Sequence, residues 1–169
     1  MKAIKFFVAA MAMTFAVSMN AKIFENNHFT VNANVGSFAG RGGFGLGTGF
    51  QTEVFTCNWV TVDWDVLHFE WDAPFNSPGD ADALSFKTGA RAYSPSFAND
   101  HLRVYTNLDM GYVLGLAKGF DDKMTTSSAF GLTWGAGLQL NQKWSFGYSL
   151  QWESLGKSKS HFGTVAYTF

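Results

Sequence analysis

The chain has 169 residues, of which 17% are aromatic and only 15% charged, with 18 glycines and a formal net charge of −1. Soluble domains carry about 25% charged residues, so a typical soluble composition fits poorly. The near-neutral balance and the absence of a basic run argue against a nucleic-acid partner, and the aromatic content argues against disorder.

The N-terminus opens Met1-Lys2-Ala3-Ile4-Lys5, runs uncharged from Phe6 to Val17, and closes on small and polar residues to Ala21. A basic start, a short apolar run and a small-residue exit predict a cleaved signal peptide over 1–21. Cleavage fits after Ser18 or after Ala21, and the run is too short to anchor in a bilayer. Loss of Lys2 and Lys5 takes the formal charge from −1 to −3. The remainder, 22–169, is one domain's worth, and no apolar run in it approaches the roughly 18 residues of a membrane helix. Cys57 has no second cysteine to pair with and reads as a small residue near a strand start.

Period-2 alternation then marks eight strands. Strand 1 is expected over 28–37, where Phe29, Val31, Ala33 and Val35 alternate with His28, Thr30, Asn32 and Asn34. Strand 2 covers 44–54, with Phe44, Leu46, Thr48, Phe50 and Val54 on one face and Gly45, Gly47, Gly49, Gln51 and Glu53 on the other. Those glycines lack the spacing of a phosphate loop; inward glycines that leave room in a narrow barrel are the better reading. Strand 3 is expected over 58–66, with Trp59, Thr61, Asp63 and Asp65 on the polar face and Val60, Val62, Trp64 and Val66 opposite. The stretch 67–82 is expected to be the longest loop, with Trp71 and Phe75 as a contact surface. Strand 4 spans 83–93, with Lys87, Arg91 and Tyr93 opposite Leu84 and Phe86. Strand 5 spans 102–116, setting Arg103, Tyr105 and Asp109 against Val104, Leu108 and Tyr112. A loop over 117–127 follows. Strand 6 spans 128–140 and carries Phe130, Leu132 and Trp134; Asn141-Gln142 is a two-residue turn signal. Strand 7 spans 143–153, with Trp144, Phe146, Tyr148, Leu150 and Trp152 against Gly147, Gln151 and Glu153. Strand 8 covers 160–169, with Val165, Tyr167 and Phe169 on one face and Thr164, Ala166 and Thr168 on the other.

Within these spans Glu53, Asp63, Asp65, Lys87, Arg91, Arg103, Asp109, Lys143 and Glu153 all share the face opposite the bulky apolar stripe. A soluble sandwich puts charge outside and a dry core inside. Small polar groups on one face and bulk on the other suit a barrel whose outside meets lipid, where a midplane charge costs about 2–4 kcal/mol. The expected fold is therefore all-β: an eight-stranded antiparallel up-and-down transmembrane β-barrel over 22–169. Glu53, Asp63, Asp65, Lys87, Arg91, Arg103, Asp109 and Glu153 would form a polar network that fills the lumen. Outward Trp144, Tyr167 and Phe169 fall at one set of strand ends. Phe44, Trp64, Phe86, Phe130 and Trp152 fall at the other, as interfacial belts do. An even strand number puts the turns after strands 2, 4 and 6 on the side of both termini.

The signal peptide, the dyad repeat and the terminal Val165-Ala166-Tyr167-Thr168-Phe169 resemble the small eight-stranded outer-membrane proteins of Gram-negative bacteria, the OmpX-like, Ail-like and OmpA-barrel-like group. The resemblance implies an outer-membrane location after export, contact with membrane lipid and lipopolysaccharide, and an extracellular ligand for the loops. It also implies that Val165, Tyr167 and Phe169 resemble the signal read by the outer-membrane assembly machinery.

Three sets of residues are candidates for chemistry. The row Asp63, Asp65, His68, Glu70 and Asp72 has cation-binding side chains but matches no calcium loop or zinc motif. Glu153, Ser160 and His161 lie near neighbouring strand ends, as a lipid A hydrolase or acyltransferase would need. Ser160 and His161, however, are adjacent and must point to opposite faces of a strand. Lys157 and Lys159 suit an anionic lipopolysaccharide surface. The sequence thus predicts no catalytic, cofactor-binding or metal-ligating residue, and a non-catalytic structural or surface-interaction role. A lipid A-modifying enzyme and a secreted soluble β-sandwich are the alternatives.

Overall fold

The computed structural model describes residues 27–38, 41–75, 81–99, 101–118, 124–153 and 159–169. The expected signal peptide at 1–21 lies outside the described residues. Eight strands follow in order: β1 (Asn27–Phe38), β2 (Arg41–Thr56), β3 (Thr61–Pro74), β4 (Ala81–Tyr93), β5 (Leu102–Lys118), β6 (Met124–Leu140), β7 (Trp144–Glu153) and β8 (Lys159–Thr168). Each pairs antiparallel with the next, and β8 pairs with β1 to close the barrel. A closed sheet has no free edge and sets aside the soluble sandwich.

The connections 57–60, 94–99 and 141–143 sit at the end of the barrel that holds Asn27 and Phe169; we call it the turn end and the opposite one the loop end. At the turn end Asn141 and Gln142 both have positive φ, 52° and 58°. The Lys143 N–H donates to the Leu140 carbonyl at 3.0 Å. That is a type I′ hairpin turn, whose twist matches the flanking strands. Lys143 lies in this turn, exposed, rather than in β7.

Closure is fastened at the last residue. The Phe169 N–H donates to the Phe29 carbonyl at 2.8 Å, and that of Thr168 to the Lys143 carbonyl at 2.8 Å. On the outside the rings continue the seam: Phe29 lies 5.8 Å from Phe169, Phe169 4.8 Å from Tyr167, and Tyr167 4.9 Å from Trp144.

Both expected long loops need correction. Strand β3 runs on to Pro74, so most of the expected loop 67–82 is strand, and 76–80 lies outside the described residues. The expected loop 117–127 shortens likewise, because β5 reaches Lys118 and β6 starts at Met124. The cause on β3 is a bulge. Asp65 pairs with Gly89 and His68 with Lys87, so Val66 and Leu67 together oppose Thr88. The Thr88 hydroxyl donates to the Asp65 carbonyl at 2.8 Å, next to the interruption in the ladder. Beyond it the inward parity changes from odd to even. Because β3 begins at Thr61, Trp64 lies near the turn end rather than the loop end, and its Nε1 donates to Thr88 Oγ1 at 3.1 Å. Trp59, expected on an inward face, sits in the turn and is 82% exposed. Trp71 and Phe75, expected on a loop, pack on Phe44 at 5.4 and 5.8 Å near the loop end.

An eight-stranded lumen is just wide enough to be filled by side chains, and inward glycines make the room. Gly45, Gly47, Gly89 and Gly135 pair directly with Asp72, Asn32, Asp109 and Asn107. In each case the polar side chain leans across the place where a Cβ would stand, joined at Gly89 by the Leu108 carbonyl. At Gly111 a Cβ would meet backbone instead, the Phe86 carbonyl and the Lys87 Cα. Gly111→Val should therefore cost more than Gly135→Ala, whose obstacle is the movable end of Asn107. We expect a difference of about 1–3 kcal/mol, read as a lower urea midpoint for tryptophan fluorescence in lipid vesicles.

Candidate functional site

The inward residues form a polar column through most of the barrel, with Ala83, Val113, Ala129 and Phe162 packed inside toward the loop end. Toward the turn end, Glu53 and Asp63 are register partners across β2 and β3. With His28 and Arg103 they line a hollow of about 160 Å³. Above it two arginines and two tyrosines interleave: the Arg103 guanidinium lies 3.8 Å from the Tyr93 ring centre and that of Arg91 5.0 Å from the Tyr105 ring. The rings themselves are 6.2 Å apart. Stacking places each cation against a π face in a low-dielectric setting, where such contacts are strongest. Arg103 Nε also donates to Gln139 Oε1 at 2.5 Å.

At mid-height Asp65 and Asp109 flank Gly89 on neighbouring strands, and both are buried. Asn107 Nδ2 donates to Asp109 at 2.5 Å. One step on, Lys87 Nζ meets Glu70 at 3.3 Å and also donates to Gln151. Glu70 in turn accepts from Asn34, and Gln151 Nε2 donates to Glu153 at 2.7 Å. Strands β1, β3, β4 and β7 are thus bound across the lumen by one cluster around a buried ion pair. The central cavity lined by Thr30, Asn34, His68, Lys87 and Asp109 is about 50 Å³, room for a few waters.

The expected lumen residues Asp63, Asp65, Lys87, Arg91 and Asp109 are buried inside the barrel; Glu53, Arg103 and Glu153 are inside and partly exposed. Sequence reasoning missed the acid at the centre. Glu70 belongs inside with His68 and Asp72 because of the bulge, and the adjacent apolar pair Val66-Leu67 was the signal, a break in the alternation. The row Asp63, Asp65, His68, Glu70 and Asp72 is spread along the strand. Among the described residues no three His, Cys, Asp or Glu side chains converge to hold a metal ion.

The outside is the reverse. Val35, Tyr112, Phe130, Trp144, Phe146 and Val165 are each between 42% and 66% exposed, and Phe44, Trp64, Phe86 and Trp152 share that wall. Patches of this size on soluble monomers mark an interaction surface; here they encircle the molecule. Ser160 is fully buried inside, whereas the next residue, His161, stands outside with Nδ1 at 2.6 Å from the Tyr148 hydroxyl.

An eight-stranded closed barrel, apolar outside and charged inside, is the architecture of the small transmembrane β-barrels. No protein-family model matches the chain, and no curated protein matches it by sequence. Solved structures do match by fold. Neisserial surface protein A superposes with a TM-score of 0.63 at 12% identity, covering 84% of this chain and 95% of that one. The outer membrane enzyme PagL gives 0.56 at 17%, covering 83% and 98%. Ail, the attachment invasion locus protein of Yersinia pestis, gives 0.55 at 19%, covering 86% and 100%.

The ion pair makes a direct test. Lys87→Met leaves Glu70 buried without its cation and should cost about 3–5 kcal/mol. The double variant Lys87→Met/Glu70→Gln should recover most of that loss. Urea unfolding of both in lipid vesicles reads the difference.

Proposed function

We propose that the chain is an integral outer-membrane β-barrel protein, exported by its N-terminal segment, with a lumen filled by side chains and a non-catalytic structural or surface-interaction role. The observation that carries this reading is the sidedness of the wall. Burying Lys87, Arg91 and the five acids Asp63, Asp65, Glu70, Asp72 and Asp109 while exposing tryptophans and phenylalanines is costly in water and favourable in lipid. The loop end then faces outward from the cell and the turn end faces the periplasm. The rings at the turn end (Trp144, Tyr167 and Phe169) and those toward the loop end (Phe44, Phe86, Phe130 and Trp152) act as interfacial belts, with Trp64 joining the lower one. Val165, Tyr167 and Phe169 are the segment the assembly machinery reads, a role supported by the place of Phe169 at the closing seam. Partners are outer-membrane lipid, lipopolysaccharide and an extracellular ligand for the connections 39–40, 75–80, 119–123 and 154–158.

One structural neighbour is described as an outer membrane enzyme, so a lipid-modifying activity is the competing reading. It draws no support from the adjacent serine and histidine, because Ser160 faces the lumen and His161 the outside.

The reading predicts a boiling-dependent mobility shift for protein taken from the outer-membrane fraction. Recovery from the soluble periplasm without a shift would overturn it. Phe169→Ala should lower the folded, heat-modifiable fraction in cells several-fold while the total exported chain changes little. Lipid A profiles that differ with and without the protein would favour the enzyme.

A further inference from the structure

The outside of the barrel carries a basic and polar exception on β7 and β8. Lys159 and His161 are successive outward residues of β8, and both are exposed. They pair with Trp152 and Leu150 of β7. The His161 ring is held by Tyr148, whose hydroxyl lies 2.6 Å from Nδ1. When that hydroxyl donates, Nε2 carries the proton and is free to donate outward. The next outward position of β8 is Gly163, flanked by Tyr148 on β7 and Val35 on β1, which leaves a notch in the wall. Below the notch is an apolar hollow of about 350 Å³, lined by Val31, Ala33, Leu46 and Val165 and floored by Trp144 and Tyr167.

Polar groups above and an apolar hollow below are two separate observations on one strip of wall. Their spacing matches a lipid. Six residues from Lys159 to Val165 cover about 20 Å along a strand. That is about 15 Å along the membrane normal at the usual tilt, or half of a hydrocarbon core roughly 30 Å thick. A phosphate suits the polar end: Lys159 supplies a point charge, and His161 a directed donor about 7 Å away on the same face.

We propose that this strip binds one phosphorylated glycolipid of the lipid A type. Its phosphate is held between Lys159 and His161, and one acyl chain runs past Gly163 into the hollow. The proposal rests on the membrane placement above and specifies the lipid contact within it.

The test is native mass spectrometry of the full barrel folded in detergent, with lipid A, phosphatidylglycerol or phosphatidylcholine added singly. One lipid A should be retained per barrel, about tenfold more tightly than phosphatidylcholine, as one charge-assisted contact implies. The pair Lys159→Ala/His161→Phe should abolish that preference. Ala33→Trp, which fills the hollow, should weaken retention of lipid A while leaving the polar end intact; Val165→Phe replaces it if Ala33→Trp does not fold. Each variant must keep its heat-modifiable mobility to be read. Equal retention of all three lipids, or an unchanged preference in the Lys159/His161 variant, would overturn the site. Retention of phosphatidylglycerol equal to lipid A would overturn the choice of occupant. A wild-type barrel that inserts into vesicles without lipid preference loses only this site, whereas one that does not insert loses the membrane reading itself.

Discussion

The width of the lumen governs this molecule. Eight strands enclose a space that side chains alone can fill, so every inward residue competes with its neighbours for volume. The chain resolves the competition pairwise. A polar side chain on one strand leans over a glycine on the next, as Asn32 does over Gly47 and Asn107 over Gly135. Where two backbones approach closely, at Gly36, Gly111 and Gly137, a Cβ would meet the backbone of the facing strand itself. The glycine-rich composition and the polar interior are therefore one feature seen twice. Small residues on one strand are the space in which charged residues of the next are housed.

Filling such a space with charge requires that the charges satisfy one another, because an isolated buried ion is far costlier than a paired one. Lys87 answers by joining Glu70 and Gln151, and Glu70 by taking Asn34 as well. Arg91 and Arg103 use the faces of Tyr105 and Tyr93 instead. The Lys87–Gln151 and Asn34–Glu70 contacts link strands that are not ladder neighbours, β4 with β7 and β1 with β3. They add cross-lumen ties to the backbone ladders that already run round the barrel, while the arginine–tyrosine stacks join the paired strands β4 and β5. The bulge at Val66-Leu67 makes the central tie possible. Without it Glu70 would stand on the outer wall, and Lys87 would face the lumen without its acid.

The outer wall obeys a different rule. Its side chains point away from the barrel, so they are selected by what surrounds it, and they are overwhelmingly aliphatic or aromatic. Against that background the Tyr148–His161 pair and Lys159 are conspicuous, since each polar group on a lipid-facing wall needs a compensating partner. A shared hydrogen bond supplies one for two of them.

The strand count, the antiparallel order and the inside/outside assignment of strands 1, 2, 4, 5, 6, 7 and 8 were legible in the sequence, because a strand side chain's face depends only on parity. The charges at Lys87, Arg91, Arg103 and Asp109 could be assigned to the lumen for the same reason. What parity cannot carry is a change of phase. A single extra residue in β3 reverses the faces beyond it, and this hid Glu70, misplaced Trp64 along the barrel and made a strand read as a loop. Which acid pairs with which base was likewise decided only by the closed barrel. Lys87 and Glu70 are 17 residues apart, and they meet through the register of β3 on β4, a long-range arrangement that the local pattern of either strand does not contain.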